Sequence, residues 1–262
     1  MNDFIQVFLL GLIEGITEFL PISSTGHLLI AEHWLGARSD VFNVVIQLGA
    51  ILAVLLIYWQ RLLTMVLNFS QPENRDYLLK LFTAFFITAV GGLIAKKLGL
   101  KLPVTLQPVA WALLIGGFVI LAVEWRAKNW SESTRVTWAV AVAVGLAQIV
   151  AAVFPGTSRS AATIFSAMLV GLTSRSAATE FAFIVGIPTM FAASGFELFK
   201  LMKDPATAAH EPMFDLALGF VVSAVVAFIA VKWLLGYIQT HRFTVFAWYR
   251  IVLGAGLLVI AQ

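Results

Sequence analysis

Predominantly apolar runs of about 20 residues recur along this chain, and that recurrence leaves few folds open. They occupy positions 41–59, 77–95, 107–123, 176–198, 214–235 and 244–261. Each has roughly the length a helix needs to cross the ~30 Å hydrocarbon core of a bilayer. Lipid offers the backbone no hydrogen-bond partners, so a spanning segment is a helix or part of a closed barrel. Barrel strands alternate with period two over about 10 residues, and these runs are longer and predominantly apolar. Composition agrees: 60% of residues are hydrophobic and 12% charged, against roughly 25% charged in soluble domains. The shortage of charge extends over the whole length, which excludes a soluble enzyme with one anchor. Met1, Asn2 and Asp3 lack a basic start and Glu14 interrupts the first apolar run. That run is therefore expected to stay in the mature chain rather than serve as a cleaved signal. Cysteine is absent, so thiolate metal sites and cysteine nucleophiles are excluded. The net charge of +3 is better read as membrane topology than as nucleic-acid binding.

Two further hydrophobic stretches, 4–35 and 138–172, are broken in the middle by Pro21 and Pro155. The arm before each break is too short to cross comfortably at about 1.5 Å per residue. The spacing predicts two re-entrant helical hairpins; the plain alternative is a pair of kinked spans. A shift of 134 positions places Gly11 on Gly145, Glu14 on Gln148, Pro21 on Pro155, Ser23 on Thr157 and Ser24 on Ser158. Three spans separate the stretches, so the second hairpin is expected to enter from the opposite face. The predicted fold is an all-α polytopic membrane protein, a single membrane domain over 1–262. It has about six transmembrane helices plus two re-entrant hairpins, as inverted-topology repeats over roughly 1–125 and 138–262. Six basic residues fall on the N-terminal face (Arg38, Lys96, Lys97, Lys101, Lys200, Lys203) and nine on the other. That imbalance leans toward an outward N-terminus.

The breaks carry the reactive residues. Glu14 and Glu18 are i and i+4 and share one side of a helical arm. An ionisable group in an apolar segment costs roughly 2.5–3.5 kcal/mol, so a cation, a proton or a basic partner is expected beside them. Ser23, Ser24, Thr25 and His27 follow Pro21; hydroxyls near an imidazole are the material of nucleophilic catalysis, although the same residues also suit an N-cap. The second break reads Pro155-Gly156-Thr157-Ser158-Arg159-Ser160, with Thr163 beyond. Arg159 offers a rigid fork for phosphate or carboxylate, and Gly156 permits close approach of backbone to an anion. The alternative for Arg159 is a purely structural pair with Glu14 or Glu18. Together these groups suit phosphoryl transfer to water with a divalent cation. No P-loop, HExxH or Asp-rich cation box is present. Broken inverted repeats are also a transporter architecture, so a transporter or lipid flippase is the competing reading.

Glu14-x-x-x-Glu18 running into Pro21-Ile-Ser23-Ser24-Thr25-Gly26-His27, with the later Pro155-Gly-Thr-Ser158-Arg159-Ser160-x-x-Thr163, resembles the undecaprenyl-diphosphate phosphatase family linked to bacitracin resistance. The likeness extends over essentially the whole chain; one departure is Ala161, where the family pattern leads us to expect glycine. The resemblance implies hydrolysis of C55 polyprenyl diphosphate to the monophosphate carrier of cell-wall synthesis. It implies the bacterial inner membrane, with the site open to the periplasmic or outer face. It also implies a divalent cation, Mg or Ca, on Glu14 and Glu18, with Glu18 alternatively in proton transfer. Arg159 would clamp the diphosphate with Ser158, Ser160 and Thr163, and Ser23, Thr25, Gly156, Thr157 and Gln148 would complete the substrate site. Ser24 is the candidate nucleophile with His27 as its base, while His27 or water as nucleophile stays open. The expected partners are the polyprenyl diphosphate lipid and the bilayer, with no nucleic acid; the sequence leaves a homodimer open.

Overall fold

The computed structural model describes residues 3–100, 104–203 and 211–260; Lys101 and Ala261 lie outside them. The described residues form ten α-helices and one short 3-10 turn, with no strand among them. In order they are α1 (Asp3–Thr17), α2 (Ser24–Leu35), α3 (Asp40–Leu67), α4 (Pro72–Lys97), α5 (Leu106–Arg126), α6 (Trp138–Val153), α7 (Arg159–Leu169), α8 (Arg175–Lys203), α9 (Met213–Thr240) and α10 (Thr244–Ile260). Five of them, α3, α4, α5, α8 and α9, are long and apolar enough to cross a membrane. The sixth expected span, α10, has 17 residues, about 26 Å of helix. The chain is an all-α polytopic membrane protein. Large apolar side chains face outward along the long helices, such as Leu56, Phe86, Ile115, Val225 and Val252, because lipid rather than water is their solvent.

The two broken stretches end where the sequence places their breakers. Helix α1 stops at Thr17 and α6 at Val153. Pro21 and Pro155 supply no N–H and bias the preceding residue away from helical geometry. Each chain restarts as a short helix capped by serine: Ser23 Oγ accepts from Gly26 N–H, and Ser158 Oγ accepts from Ala161 N–H. Both caps hold positive φ, 75° at Ser23 and 69° at Ser158, and they are the only non-glycine residues to do so among those described. That conformation costs on the order of 1–2 kcal/mol, comparable to what a serine cap returns.

The caps correct one sequence pairing. Matching Ser23 to Thr157 and Ser24 to Ser158 fails, because the caps are Ser23 and Ser158. The second break holds one more residue between proline and cap, accommodated by Gly156 at φ 90°. The departure at Ala161 has no consequence for the loop: this residue is already helical, with its N–H on the cap.

Helices α1 and α6 pack alike, α1 on α9 and α6 on α4, while α3 and α8 and α5 and α10 pair with each other. Gly11 and Gly145 sit at these contacts, where a Cβ would lie 3.0 Å from Gly219 O and 2.9 Å from Ala84 O respectively. Close backbone approach therefore excludes a side chain at both. After each hairpin an arginine fastens the exit. Arg38 reaches Glu211 (3.0 Å) and Asp215 (3.4 Å) at the start of α9. Arg175 forms a two-pronged pair with Glu124 at 2.9 and 2.5 Å, and Glu124 also accepts from Phe243 N–H.

Candidate active site

The two breaks meet inside the protein. Ser160 Oγ donates to Leu20 O at 3.0 Å, tying the second break to the first. Arg250, in the middle of α10 and fully buried, donates to Pro21 O (3.2 Å) and Gly156 O (3.2 Å). The same guanidinium reaches Leu113 O and Ala112 O on α5 at 3.3 and 3.0 Å. One side chain thus satisfies a carbonyl from each broken segment, in a region where an unpaired carbonyl is costly, and ties both to a spanning helix. Sequence reasoning gave Arg250 no role. Its position in an apolar helix, itself worth about 2.5–3.5 kcal/mol of penalty, was the available signal.

Around this staple lie the acidic pair and Arg159. Glu14 is buried at 1% exposure and Glu18 at 8%. Glu18 lies just past α1, but its N–H still bonds to Glu14 O at 3.0 Å, which keeps both carboxyls on one side as the spacing predicts. Glu14 lies within electrostatic reach of Glu18 and Arg159, and its Oε2 is buried without a hydrogen-bond partner. Arg159 Nη2 stands 4.0 Å from Glu18 Oε1, too long for a hydrogen bond, so its donors are not consumed by the pair. Ser24 Oγ donates to Glu18 Oε2.

The structure does not bring His27 to Ser24. His27 Nδ1 lies 2.7 Å from Ser23 O, a carbonyl that can only accept, so Nδ1 carries the proton. In the neutral ring Nε2 then accepts from the Tyr249 hydroxyl at 2.6 Å, with the rings stacked at 5.5 Å. The base facing Ser24 is Glu18. Ser160 gives its proton to Leu20 O, which leaves Ser158 to donate to Ser160 at 3.0 Å. Thr163 donates to carbonyls of its own helix, Arg159 O and Ser160 O. All three hydroxyls are therefore occupied within the protein.

Three other expected ligands lie apart from the acidic pair in their contacts. Gln148 donates to Thr88 at 2.9 Å within the α4–α6 packing. Thr25 is exposed at the start of α2, and Thr157 lines an apolar groove beside the second break. Gly156 is buried, with backbone of Val109 so close that a Cβ would lie 2.9 Å from it. Three further acidic residues have partners elsewhere: Glu32 with Asn43, Glu180 with Arg61 and Glu197 with Lys96.

What the site offers an anion is the Arg159 fork and the N-terminal turns of α2 and α7. The backbone N–H groups of Arg159 and Ser160 have no acceptor among the described residues, and such groups favour phosphate. For a cation it offers the two carboxyls. No cluster of three His, Asp or Glu side chains suited to a metal is found among the described residues. The donor set instead fits a hard ion such as Mg²⁺, which takes one or two carboxylates and completes its shell with phosphate oxygens and water.

Fold and site together define a polytopic membrane protein with an acid, hydroxyl and arginine centre where two broken helices meet. Residues 7–256 match the family described as bacitracin resistance protein BacA, and the chain belongs to that family. It is 64% identical to an undecaprenyl-diphosphatase of Rhizobium etli (strain CIAT 652), over 99% of this chain and 97% of that protein. It is 63% identical to one of Rhizobium leguminosarum bv. trifolii and 61% to one of Xanthomonas oryzae pv. oryzae (strain PXO99A), again over 99% and 97% of the respective chains.

Proposed function

We infer that this chain hydrolyses undecaprenyl diphosphate to undecaprenyl phosphate and inorganic phosphate. The observation that carries the reading is the convergence of Glu18, Ser24 and Arg159 at the junction of the two breaks. The relatives' shared name describes a phosphatase, and nothing in the site favours lipid transport over hydrolysis.

Arg159 and the opening N–H groups of α7 hold the terminal phosphate and oppose its growing negative charge. Glu14 and Glu18 would hold a divalent cation, Mg²⁺ or Ca²⁺, which would supply positive charge against the phosphate. Ser24 Oγ forms a bond to the terminal phosphorus as its proton passes to Glu18. The bond from that phosphorus to the bridging oxygen breaks and leaves the prenyl monophosphate. Water then attacks that phosphorus, the bond from phosphorus to Ser24 Oγ breaks as Glu18 returns its proton to the serine, and phosphate leaves. His27 orients the loop through Ser23 O, one residue from the nucleophile. The two halves, related as inverted repeats, divide these tasks: the first supplies acid and hydroxyl, the second the anion clamp. The protein resides in the bacterial inner membrane with the site open to the outer face.

Phosphate release from C55 diphosphate by the purified protein tests the activity, and rapid quench tests the route. A phosphoserine at Ser24 is expected. Full turnover in Ser24→Ala with no phosphoenzyme would assign the attack to water, and full turnover in both Arg159→Ala and Glu18→Ala would place the site elsewhere.

A further inference from the structure

We propose that the groove between α5 and the α6–α7 hairpin holds the first isoprene units of the substrate's polyprenyl chain, an inference that rests on the phosphatase reading. The groove encloses about 700 Å³ and starts at the second break, where Pro155 and Thr157 line it. These residues flank Gly156 and precede Arg159, so the groove is continuous with the anion-holding loop. On α7 the residues Arg159, Ala162, Ser166 and Leu169 are spaced i, i+3, i+7 and i+10 and share one helical face. The last three line the groove. One face of one helix therefore passes from a phosphate-binding guanidinium to an apolar channel, the polarity of a prenyl diphosphate itself.

The walls suit a branched hydrocarbon. Trp111 and Ile115 of α5 stand opposite Ala147 and Val150 of α6, and no charged side chain lines the groove. Trp111, Ile115, Val150 and Phe154 are each about half exposed, which leaves the groove open sideways to the bilayer. A chain can enter from the hydrocarbon without crossing water. A volume in the range of small-molecule pockets holds several isoprene units and not a C55 chain, so the remainder stays in lipid.

Ala147 lies two helical turns from the break, roughly 10 Å along α6, beyond the reach of a C5 chain. Kinetics of Ala147→Trp with C55 and with C5 prenyl diphosphate test the proposal. The KM for C55 is expected to rise at least tenfold with kcat within twofold, and the KM for C5 to stay within twofold. Val142→Trp, exposed on α6 outside the groove, should leave both constants unchanged. Independently of folding in the variant, a C55 diphosphate bearing a benzophenone in its second isoprene unit should label wild-type protein within 107–120 or 147–169. An unchanged C55 KM in folded Ala147→Trp, or labelling confined to other helices or matched by a benzophenone phospholipid, would overturn the groove assignment. Failure of the wild type to hydrolyse either substrate would instead sink the phosphatase reading.

Discussion

Arg159 and Glu18 face each other at 4.0 Å, and this loose contact sets their consequences apart. Were Arg159 only a structural partner of a buried acid, lysine would replace it at modest cost. As a clamp for phosphate its planar fork matters and lysine is a poor substitute. We therefore expect Arg159→Lys to lose roughly 10²–10³-fold in kcat, the range found on removing one donor to a developing anion, with the protein still folded by circular dichroism. Glu18→Gln should lower kcat by about 10²–10⁴-fold, the span of general acid–base contributions. Its KM for the lipid should change far less, which steady-state kinetics on the same preparation will read. Removing divalent cations with a chelator should abolish turnover, and adding Mg²⁺ should restore it in wild type but not in Glu14→Ala.

At the scale of elements, the stability of both breaks rests on few contacts. Each cap serine combines a hydrogen bond with positive φ. Glycine at position 158 loses the bond but relieves the backbone, so Ser158→Gly should be nearly neutral. Ser158→Val loses the bond and strains the positive-φ backbone further, and should cost about 2 kcal/mol or more, measurable as a lower melting temperature in detergent. Arg250 carries more. Replacing it with methionine leaves the carbonyls of Pro21 and Gly156 without this donor, at roughly 1–3 kcal/mol for each buried group left unsatisfied. Arg250→Met should therefore be among the most destabilising single substitutions in this chain, and thermal unfolding of Arg250→Met beside Arg250→Lys measures it. The groups that close the junction, Arg250 and Ser160, are far apart in sequence from the carbonyls they satisfy.

At the scale of the molecule, the proposed inverted arrangement predicts that the two hairpins enter from opposite sides. The chain has no native cysteine, so single-cysteine labelling is unambiguous. With a membrane-impermeant thiol reagent on intact cells, Ala37→Cys beyond α2 should label directly, and Asn129→Cys beyond α5 only after permeabilisation. Labelling of both from one side would refute the opposed topology.

The local chemistry of the chain determined much of this by itself. Apolar runs long enough to span a bilayer can satisfy their backbone only as helices, so the membrane class follows from composition and length. Pro21 and Pro155 mark the two breaks because proline lacks a donor, although Pro188 inside the unbroken α8 shows that a proline alone does not end a helix. Glu14 and Glu18 share a side because helical spacing is local. The tertiary structure alone decided which groups face one another. Glu18 rather than His27 faces Ser24, and Thr163 and Gln148 turn to their own neighbours. The one-residue offset between the caps follows from Gly156 adopting positive φ against Val109. Arg250 became the staple of the site because carbonyls from three distant segments meet around α10. Hydrogen-bond partners between distant segments depend on how whole helices dock, and no local spacing rule contains that information.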